Sequence, residues 1–387
     1  MLTRAGLFAL VTGIAAAVVG RVFGLMEILA LGLALVGVVV LALALVLLPR
    51  PRLELSRELR PTHVHAGDPA RVDLRVRNPG SLPTGVLWLR DEVAGTPGAV
   101  LRSAPLTRDR PVTASYRLPT AKRGVIGIGP LIVDGADPLG FARRRLLTLG
   151  TTELVVYPSI ERVAAPPRPT AAELATAIHS TALDHVGDEF HALRPYQVGD
   201  DLRRVHWPAT ARHDQLMIRQ HDDTRETRTV ALLDTRHAST TAEIFERMVS
   251  AAASVLAASH ERGDELALIT TDGTVDMVGV ARHDLGTILD RLARVERSHD
   301  ASLARAAVAL NRAPVQGSLV AVLGSGTEES SELLRIARSF SSTIVVRFPP
   351  AGAATDFAAG AVVPPDAAFA PAWHQTIAAR ASGRVPT

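Results

Sequence analysis

The sequence predicts a membrane-anchored protein with an antiparallel β-sandwich domain followed by a doubly wound α/β domain. Three patterns predict this: two apolar stretches near the N-terminus, then strands of alternating polarity, then apolar strands that alternate with amphipathic helices. The 387 residues are enough for two hydrophobic cores. The predicted organisation is a transmembrane helical hairpin at 1–50, the β-sandwich at 51–158, a linker at 159–183, the α/β domain with a preceding polar segment at 184–350, and an Ala/Pro-rich tail at 351–387.

The two N-terminal stretches are predicted to be membrane helices. Ile28 to Leu48 holds 21 consecutive uncharged residues, which at about 1.5 Å per residue cross a hydrocarbon core of about 30 Å. Ala5 to Gly20 is shorter, and we expect it to pair with the longer stretch as a hairpin. A cleaved signal peptide is the alternative, since Ala15 to Ala17 are small residues, but the long second stretch argues against it.

Positive charge at both ends of the hairpin predicts its orientation. Arg4 lies at one end, and Arg50, Arg52, Arg57 and Arg60 follow the other. Because Lys and Arg are retained on the cytoplasmic side, we expect a multi-pass protein of the plasma membrane with most of the chain in the cytoplasm. The lipid bilayer is therefore an expected partner.

The β-sandwich is predicted from alternation of period two, as in Val72, Leu74 and Val76, which lie between charged residues. Turn-forming Gly, Pro and Asn separate the apolar segments. This spacing is typical of a small antiparallel sandwich. The predicted strands lie at Leu53–Leu59, Val72–Val76, Val86–Leu89, Val112–Leu118, Leu131–Val133 and Leu154–Tyr157.

The α/β domain is predicted from regular alternation after a proline-rich break and a helical stretch near Ala171 to Thr181. The predicted strands are Thr229–Leu233, Leu266–Thr271, Leu319–Leu323 and Thr343–Arg347, and the helices are Thr241–Arg262, Asp284–Arg294 and Glu328–Phe340. We expect the tail from Ala351 to be loosely ordered, with Phe357, Phe369 and Trp373 docking it locally.

Composition excludes several classes of function. The chain has no cysteine, which excludes disulfides, thiolate metal sites and cysteine nucleophiles. The 42 basic and 39 acidic residues are interleaved, so we expect no nucleic-acid partner.

The most informative stretch is 187–219, which we call the hallmark segment. Its aromatic residues lie among alternating charged residues, although the chain as a whole has few aromatic residues. This pattern is typical of a hydrogen-bond network or a recognition surface. The candidate interaction residues of this segment are Glu189, Phe190, Arg194, Tyr196, Gly199, Asp200, Asp201, Arg203, His206, Trp207 and Arg212.

The hallmark segment resembles the family known as domain of unknown function 58, through G-x-E-F, then R-x-Y-x-x-G-D-D-x-R-x-x-H-W, then A-R and a strand. The resemblance also covers the two membrane helices, the β-rich segment and the sequence DPLGF at 137–141. It implies that the α/β domain is von Willebrand factor A-like. The sequence departs from the family pattern at Leu139, Pro195 and Pro208.

The resemblance implies a non-enzymatic adaptor or assembly factor. Members of this family are commonly linked with MoxR-type AAA+ ATPases, so it implies such an ATPase as the partner in maturation of other proteins. The sequence carries no ATPase motif of its own, since Gly324 to Thr327 lacks the lysine of a phosphate-binding loop. We expect Arg194, Arg203 and Arg212 either to pair with internal carboxylates or to dock an acidic partner.

Two other functions stay open. A hydrolase acting on envelope precursors would use Asp200, Asp201 and His206, with the histidine as base, although no nucleophile or oxyanion hole is identified. The simpler expectation is that one of these aspartates caps a short helix, which should stop at Trp207 because Pro208 follows.

A metal-dependent ligand-binding module is the second alternative. Asp234 ends a predicted strand at the position where von Willebrand factor A domains begin a D-x-S-x-S magnesium site. Arg236 and Ala238 replace the two serines, so we expect no Mg²⁺ and no other cofactor. Ser239, Thr240 and Asp272 are the residues that could compensate from nearby loops.

The sequence DPLGF is interpreted as a structural turn, because Asp-Pro and Gly are ordinary turn formers and Phe141 would anchor the loop to the core. Arg143 to Arg145 follow it and could contact lipid headgroups or simply end a solvated strand.

Overall fold

The computed structural model divides the chain into two compact units, Met1–Ser159 and Ile160–Thr387. The first unit contains a helical hairpin and a β domain, and the second contains an α/β domain. The structure describes residues 2–47, 52–81, 83–108, 110–168, 193–196, 205, 207–213, 215–219, 228–278, 285–312, 317–326, 330–350 and 360–381.

Two helices form the N-terminal hairpin, α1 (Arg4–Phe23) and α2 (Met26–Leu47). The backbone N–H of Gly6 donates to the hydroxyl of Thr3 at 3.1 Å, which caps α1. Gly24 ends α1 in the left-handed conformation, with φ at 71°. Both helices are long and apolar enough to cross a membrane. The prediction of two apolar helices is confirmed.

The hairpin is closely packed inside and apolar outside. A Cβ atom added to Gly32 would lie 2.4 Å from the nitrogen of Ala17 and 2.6 Å from the carbonyl oxygen of Gly13, so the two backbones are in contact. Large apolar side chains cover the outside, such as Phe8, which is 73% exposed, and Leu31, which is 70% exposed. An apolar surface of this extent is typical of contact with lipid.

The β domain consists of short strands in two sheets. The strands are β1 (Glu54–Arg60), β2 (His63–His65), β3 (Arg71–Arg77), β4 (Val86–Val93), β5 (Ala99–Ser103), β6 (Val112–Arg117), β7 (Gly124–Ala136), β8 (Arg143–Leu149) and β9 (Thr152–Tyr157). The first sheet has the order β1-β3-β6, and the second has the order β2-β9-β7-β4-β5, with β8 paired to β7. All pairs are antiparallel except β2 with β9.

The core of the β domain lies between the two sheets. Val72, Leu74 and Val76 alternate with charged residues along β3 and are buried against Leu87 and Leu89 of β4. Period-two alternation thus places one face of each strand in the core. The predicted antiparallel β domain is confirmed.

A buried polar network joins the two sheets. Arg57 on β1 donates to Asp91 on β4 at 3.0 Å, and the Tyr116 hydroxyl on β6 donates to the same carboxylate at 2.6 Å. Arg57 also donates to the carbonyl oxygen of Gly150 and the hydroxyl of Thr152. The side chains of Arg57 and Asp91 are 2% and 1% exposed, so this ion pair is desolvated and depends on its hydrogen bonds.

The DPLGF loop, residues 137–141, contacts both helices of the N-terminal hairpin. Asp137 accepts from the backbone N–H groups of Leu139 and Ala142, at 2.8 and 2.5 Å, which fixes the turn. The Thr3 hydroxyl at the start of α1 donates to the carbonyl oxygen of Gly140 at 2.7 Å. Phe141 packs against α2 with Ala42 and Val46. The loop is structural as predicted, but Phe141 contacts the hairpin and not the β-domain core.

Part of the hallmark segment forms a two-stranded sheet and a helix. Strand β10 (Leu193–Pro195) pairs antiparallel with β11 (Met217–Arg219), and α3 (Trp207–His213) lies between them in the chain. The helix begins at Trp207, where we expected helical geometry to end, because proline is tolerated in the first helical turn, where the backbone N–H has no helical acceptor. Of the short helix expected at residues 202–206, the structure describes only Val205, which is not helical.

The α/β domain is built around one mixed sheet. Its strands are β12 (Arg228–Leu233), β13 (Glu265–Thr270), β14 (Val275–Val278), β15 (Ser318–Leu323), β16 (Ser342–Arg347) and β17 (Ala361–Val362). The order is β14-β13-β12-β15-β16-β17, with parallel pairs except β13 with β14. The chain passes from β12 to β13 on one side and later to β15 on the other, which makes a topological switch point at β12.

Helices cover both faces of this sheet. They are α4 (Ala242–Glu261), α5 (Leu285–Arg294), α6 (Leu303–Arg312) and α7 (Ser330–Ala337). Helix α4 packs on β12, β13 and β15. Val230 and Leu232 of β12 form a second core with α6 and α7. The central strands are buried on both faces, which explains their unbroken apolar sequence.

The C-terminal segment forms part of the second unit. Helix α8 (Phe369–Ala381) follows β17, and the Trp373 side chain is fully buried, with its indole N–H donating to the carbonyl oxygen of Ala164 at 2.7 Å. Glu161 accepts from the backbone N–H of Ala370 at 2.9 Å. The expectation of a loosely ordered tail was wrong for 360–381, because buried aromatic area outweighs the Ala/Pro composition. Phe357 lies outside the described residues.

Candidate functional site

The described part of the hallmark segment is held by backbone contacts. In the two-stranded sheet of β10 and β11, Arg194 lies opposite Ile218. The backbone N–H of half-buried Tyr196 donates to the carbonyl oxygen of Leu216 at 2.7 Å. The hydroxyl of Thr210 on α3 accepts from the first residue of β11 at 3.0 Å. Helix α3 is therefore fixed to the two-stranded sheet.

Trp207 is the notable side chain of this region. It is 67% exposed, whereas Trp373 is fully buried and Trp88 is partly buried. Arg212 on the same helix and Leu216 after it are also exposed. Tryptophan and arginine are both enriched at the energetic centres of protein interfaces.

The other predicted residues of the segment cannot be placed. Glu189, Phe190, Gly199, Asp200, Asp201, Arg203 and His206 lie outside the described residues, as does the helical stretch expected near 171–181. The arrangement needed for the hydrolase alternative is therefore a prediction from sequence only.

Asp234 lies at the carboxyl end of β12, at the switch point of the sheet, and is fully buried. Its Oδ1 accepts from the backbone N–H and Nε of Arg236, at 3.0 and 2.8 Å. Its Oδ2 accepts from Arg236 Nη2 at 2.6 Å, Ser239 Oγ at 2.8 Å and the backbone N–H of Gly324 at 3.2 Å. The carboxylate is thus engaged by a cation that the protein itself supplies.

Two of the three residues expected to compensate in a metal site, Ser239 and Asp272, are engaged in other hydrogen bonds, whereas the buried Oγ1 of the third, Thr240, has no hydrogen-bond partner among the described residues. Ser239 donates to Asp234, and its carbonyl oxygen accepts from the hydroxyl of Ser325 at 2.8 Å. Asp272 accepts from Thr270 Oγ1 at 2.5 Å and from the backbone N–H of Thr274 at 2.9 Å. Partial burial of Asp272 opposes ionisation, but these hydrogen bonds outweigh it and lower its pKa. Among the described residues, no cluster of three acidic or histidine side chains could hold a metal.

Other basic side chains lie close to Arg236. Arg347 ends β16, and its pKa is lowered by burial and by the charge of Arg236. The rings of His237 and His299 stack with centroids 4.1 Å apart. The pKa of His237 is lowered, first by His299, then by partial desolvation and by Arg297. Neither Arg347 nor His299 was predicted as a site residue, because only the fold brings these strand and loop ends together.

The glycine of the loop after β15 is needed for a close approach. A Cβ atom on Gly324 would lie 2.4 Å from the carbonyl oxygen of Ser239. The loop therefore closes against the segment that follows β12. The backbone N–H of Gly324 in this loop donates to Asp234.

Comparison with known proteins supports the resemblance seen in the sequence. The family model described as "Protein of unknown function DUF58" matches residues 192–349. "Uncharacterized protein YeaD" of Bacillus subtilis (strain 168) is 27% identical over 210 residues, which cover 52% of this chain and 52% of that protein. The chain thus spans about half the length of this curated relative.

Two of the solved structures that resemble this chain each match about a quarter of it. The CARDB domain of the PF1109 protein from Pyrococcus furiosus, in complex with di-metal ions, is 15% identical and matches 27% of this chain and 88% of its own, with a TM-score of 0.22. A β-glucosidase from Listeria innocua in complex with glucose is 13% identical, with coverages of 27% and 16% and a TM-score of 0.19. TM-scores this low carry no argument about function.

Proposed function

We propose that this protein is a membrane-anchored, cytoplasm-facing adaptor or assembly factor without enzymatic activity. Its α/β domain is von Willebrand factor A-like in this proposal, and its hallmark segment is the interaction surface. The partner is a MoxR-type AAA+ ATPase, as the family resemblance implies, and the pair acts in maturation of other proteins.

The exposed Trp207 is the observation that carries the proposal. Exposing 67% of an indole to water leaves a large apolar area uncovered, which is unfavourable for the isolated protein. The ring lies on the short helix α3, which is fixed to the two-stranded sheet of β10 and β11, so its position is set by the fold. A positioned aromatic ring on the same helix as exposed Arg212 has the features of an anchor for a protein partner.

The outer surface of the N-terminal helical hairpin supports the proposed attachment to the membrane. Both helices present large apolar side chains outward, while glycines bring their backbones into contact. The first helix begins with Arg4, and further arginines follow the second. This distribution supports a hairpin with both ends in the cytoplasm.

The geometry at Asp234 disfavours the metal-dependent alternative. A magnesium ion would have to displace the Arg236 guanidinium from a buried carboxylate, together with the hydrogen bonds of Ser239 and Gly324. The sequence lacks the lysine of a phosphate-binding loop, so the proposal assigns ATP hydrolysis to the partner.

A pull-down from native membranes tests the partnership. The full-length protein is solubilised in mild detergent, captured with and without ATP, and its co-purifying proteins are identified by mass spectrometry. We expect an AAA+ ATPase whose recovery changes with ATP. Recovery of the intact protein without any ATPase under both conditions would contradict the proposal.

Cysteine accessibility tests the orientation. Because the chain has no cysteine, a single introduced thiol is a clean reporter. A cysteine at exposed Leu25, in the turn between the helices, should react with an impermeant maleimide in intact cells. A cysteine at exposed Ser339 should react only after the cells are opened. The reverse labelling pattern would place the bulk of the chain outside.

A further inference from the structure

A tryptophan between two arginines lies on the outer face of the second sheet of the β domain. The guanidinium carbon of Arg143 is 4.7 Å from the centre of the Trp88 ring, and that of Arg102 is 5.5 Å from it. Trp88 and Arg102 are cross-strand partners on β4 and β5. Leu87 and Leu89, its neighbours in sequence, point into the core, so the ring is directed outward.

Two further arginines and one aspartate share this region. Asp134 on β7 lies directly opposite Trp88 and accepts from Arg90 Nη2 at 2.7 Å. Arg145 Nε lies 4.0 Å from the same carboxylate. Four arginines therefore surround Trp88 and Asp134, and the patch has a net positive charge.

The patch lies beside the end of the membrane hairpin. Strand β8 begins at Arg143, two residues after the loop whose backbone binds the start of α1. The adjacent Arg144 donates through Nη1 to the carbonyl oxygen of Leu47, the last residue of α2, at 3.1 Å. Val86 of β4 pairs with Ala136 at the end of the sheet next to this loop. Trp88 lies two residues further along β4, which is about 7 Å from Val86.

We propose that Trp88, Arg102 and Arg143 form a binding site for the phosphate of an anionic phospholipid headgroup. The inference rests on the proposed membrane anchoring, which places the ends of α1 and α2 at the surface of the bilayer. The headgroup layer extends about 5–8 Å beyond the hydrocarbon core, so the patch lies at its depth. The bilayer is the ligand source that the fold places next to the site.

The chemistry of the three side chains fits this ligand. Guanidinium groups bind phosphate oxygens through two parallel hydrogen bonds, and stacking on the indole orients them. Tryptophan itself concentrates at the boundary between lipid and water. The side chain of Leu139, 62% exposed in the loop next to the start of α1, adds an apolar contact on the membrane side.

The test compares full-length protein in nanodiscs of phosphatidylcholine alone with nanodiscs that also contain phosphatidylglycerol. The readouts are the melting temperature and the number of phosphatidylglycerol molecules that remain bound in native mass spectrometry. The test variant is Arg102→Gln/Arg143→Gln. The matched control is Arg75→Gln, which removes an exposed arginine from the other sheet.

We expect phosphatidylglycerol to raise the melting temperature of the natural protein and to remain bound. Its retention should fall by more than about tenfold in the double variant, since each arginine near an anionic membrane contributes a factor of about five. The Arg75→Gln protein should behave as the natural one. Arg102→Lys/Arg143→Lys, which keeps both charges, should retain phosphatidylglycerol better than the glutamine variant and thereby separates loss of charge from loss of fold.

Three results would overturn the inference. The first is equal melting temperature and no retained lipid in both nanodiscs. The second is equal loss in the Arg75→Gln control. The third is an equal rise in melting temperature when soluble glycerol phosphate is added to neutral nanodiscs, which would make free phosphate the ligand. Extraction of the protein from both membranes by alkaline carbonate would instead contradict the anchoring.

Discussion

The guanidinium of Arg236 donates two side-chain hydrogen bonds to the carboxylate of Asp234, Nε to Oδ1 at 2.8 Å and Nη2 to Oδ2 at 2.6 Å. The two residues are separated by one position at the carboxyl end of the central strand β12. Asp234 is fully buried and the Arg236 side chain is 14% exposed. The pair thus occupies the place where an open α/β sheet usually binds its ligand.

Breaking this pair should destabilise the α/β domain. Arg236→Ala leaves a buried carboxylate without its cation, and we expect a loss of about 3–5 kcal/mol in the free energy of unfolding. Thermal unfolding of the detergent-solubilised protein measures the effect. Arg338→Ala, an exposed arginine at the other end of the sheet, is the control and should change little. Equal melting temperatures of Arg236→Ala and the natural protein would contradict the assignment.

Magnesium should not stabilise the natural protein. A ligand that binds only the folded state raises its stability in proportion to the logarithm of ligand concentration over the dissociation constant. Because both oxygens of Asp234 already accept hydrogen bonds, we expect the melting temperature to be the same in millimolar Mg²⁺ and in chelator. A saturable rise that is lost in Asp234→Asn would restore the metal-dependent alternative.

The network between the β sheets should make stability depend on alkaline pH. Burial, and then the hydrogen bond to Asp91, raise the pKa of Tyr116 from its ordinary value of 10.0. Above pH 10 the unfolded chain releases this proton while the folded chain keeps it, so stability decreases as the pH rises. Removing the hydroxyl in Tyr116→Phe should cost about 1–2 kcal/mol at neutral pH.

The difference between the natural protein and Tyr116→Phe should therefore shrink as the pH is raised to about 11. Denaturant unfolding of both proteins at several pH values measures it. A constant difference across this range would show that the proton of Tyr116 is not held by Asp91.

Packing of the N-terminal helical hairpin should depend on Gly32. Its added Cβ would lie 2.4 Å from a backbone nitrogen of α1, so Gly32→Leu must separate the helices, at a cost of about 1–3 kcal/mol. Gly37 on the same helix has open space around its added Cβ and provides a matched control. We expect Gly32→Leu to melt at a lower temperature than Gly37→Leu in nanodiscs. Equal melting would contradict the close contact.

Much of the fold is readable from apolar periodicity. The central strand β12 and helix α4 were predicted to within about two residues, because buried parallel strands and amphipathic helices leave strong patterns. Strand β8 was missed because it starts with Arg143 to Arg145, and β2 because it has only three residues. Helix α6 was missed although its apolar residues repeat at helical spacing.

The site was less predictable than the fold. The sequence placed Asp234 at a strand end and indicated that Arg236 would repel a cation, but it did not reveal that the guanidinium binds the carboxylate itself. Likewise, Arg102 and Trp88 are fourteen positions apart, and their contact depends on the register between β4 and β5. Long-range pairing of this kind leaves no local pattern in one sequence.

The most direct test of the adaptor proposal is quantitative capture of the AAA+ ATPase by the Trp207→Ala protein. Truncating an exposed interface anchor should cost at least about 2 kcal/mol of binding free energy and reduce capture by more than about tenfold. The melting temperature should change little because the ring is mostly exposed. Arg338→Ala serves as the surface control. Unchanged capture by a correctly folded Trp207→Ala protein would contradict the claim that the hallmark segment is the interaction surface.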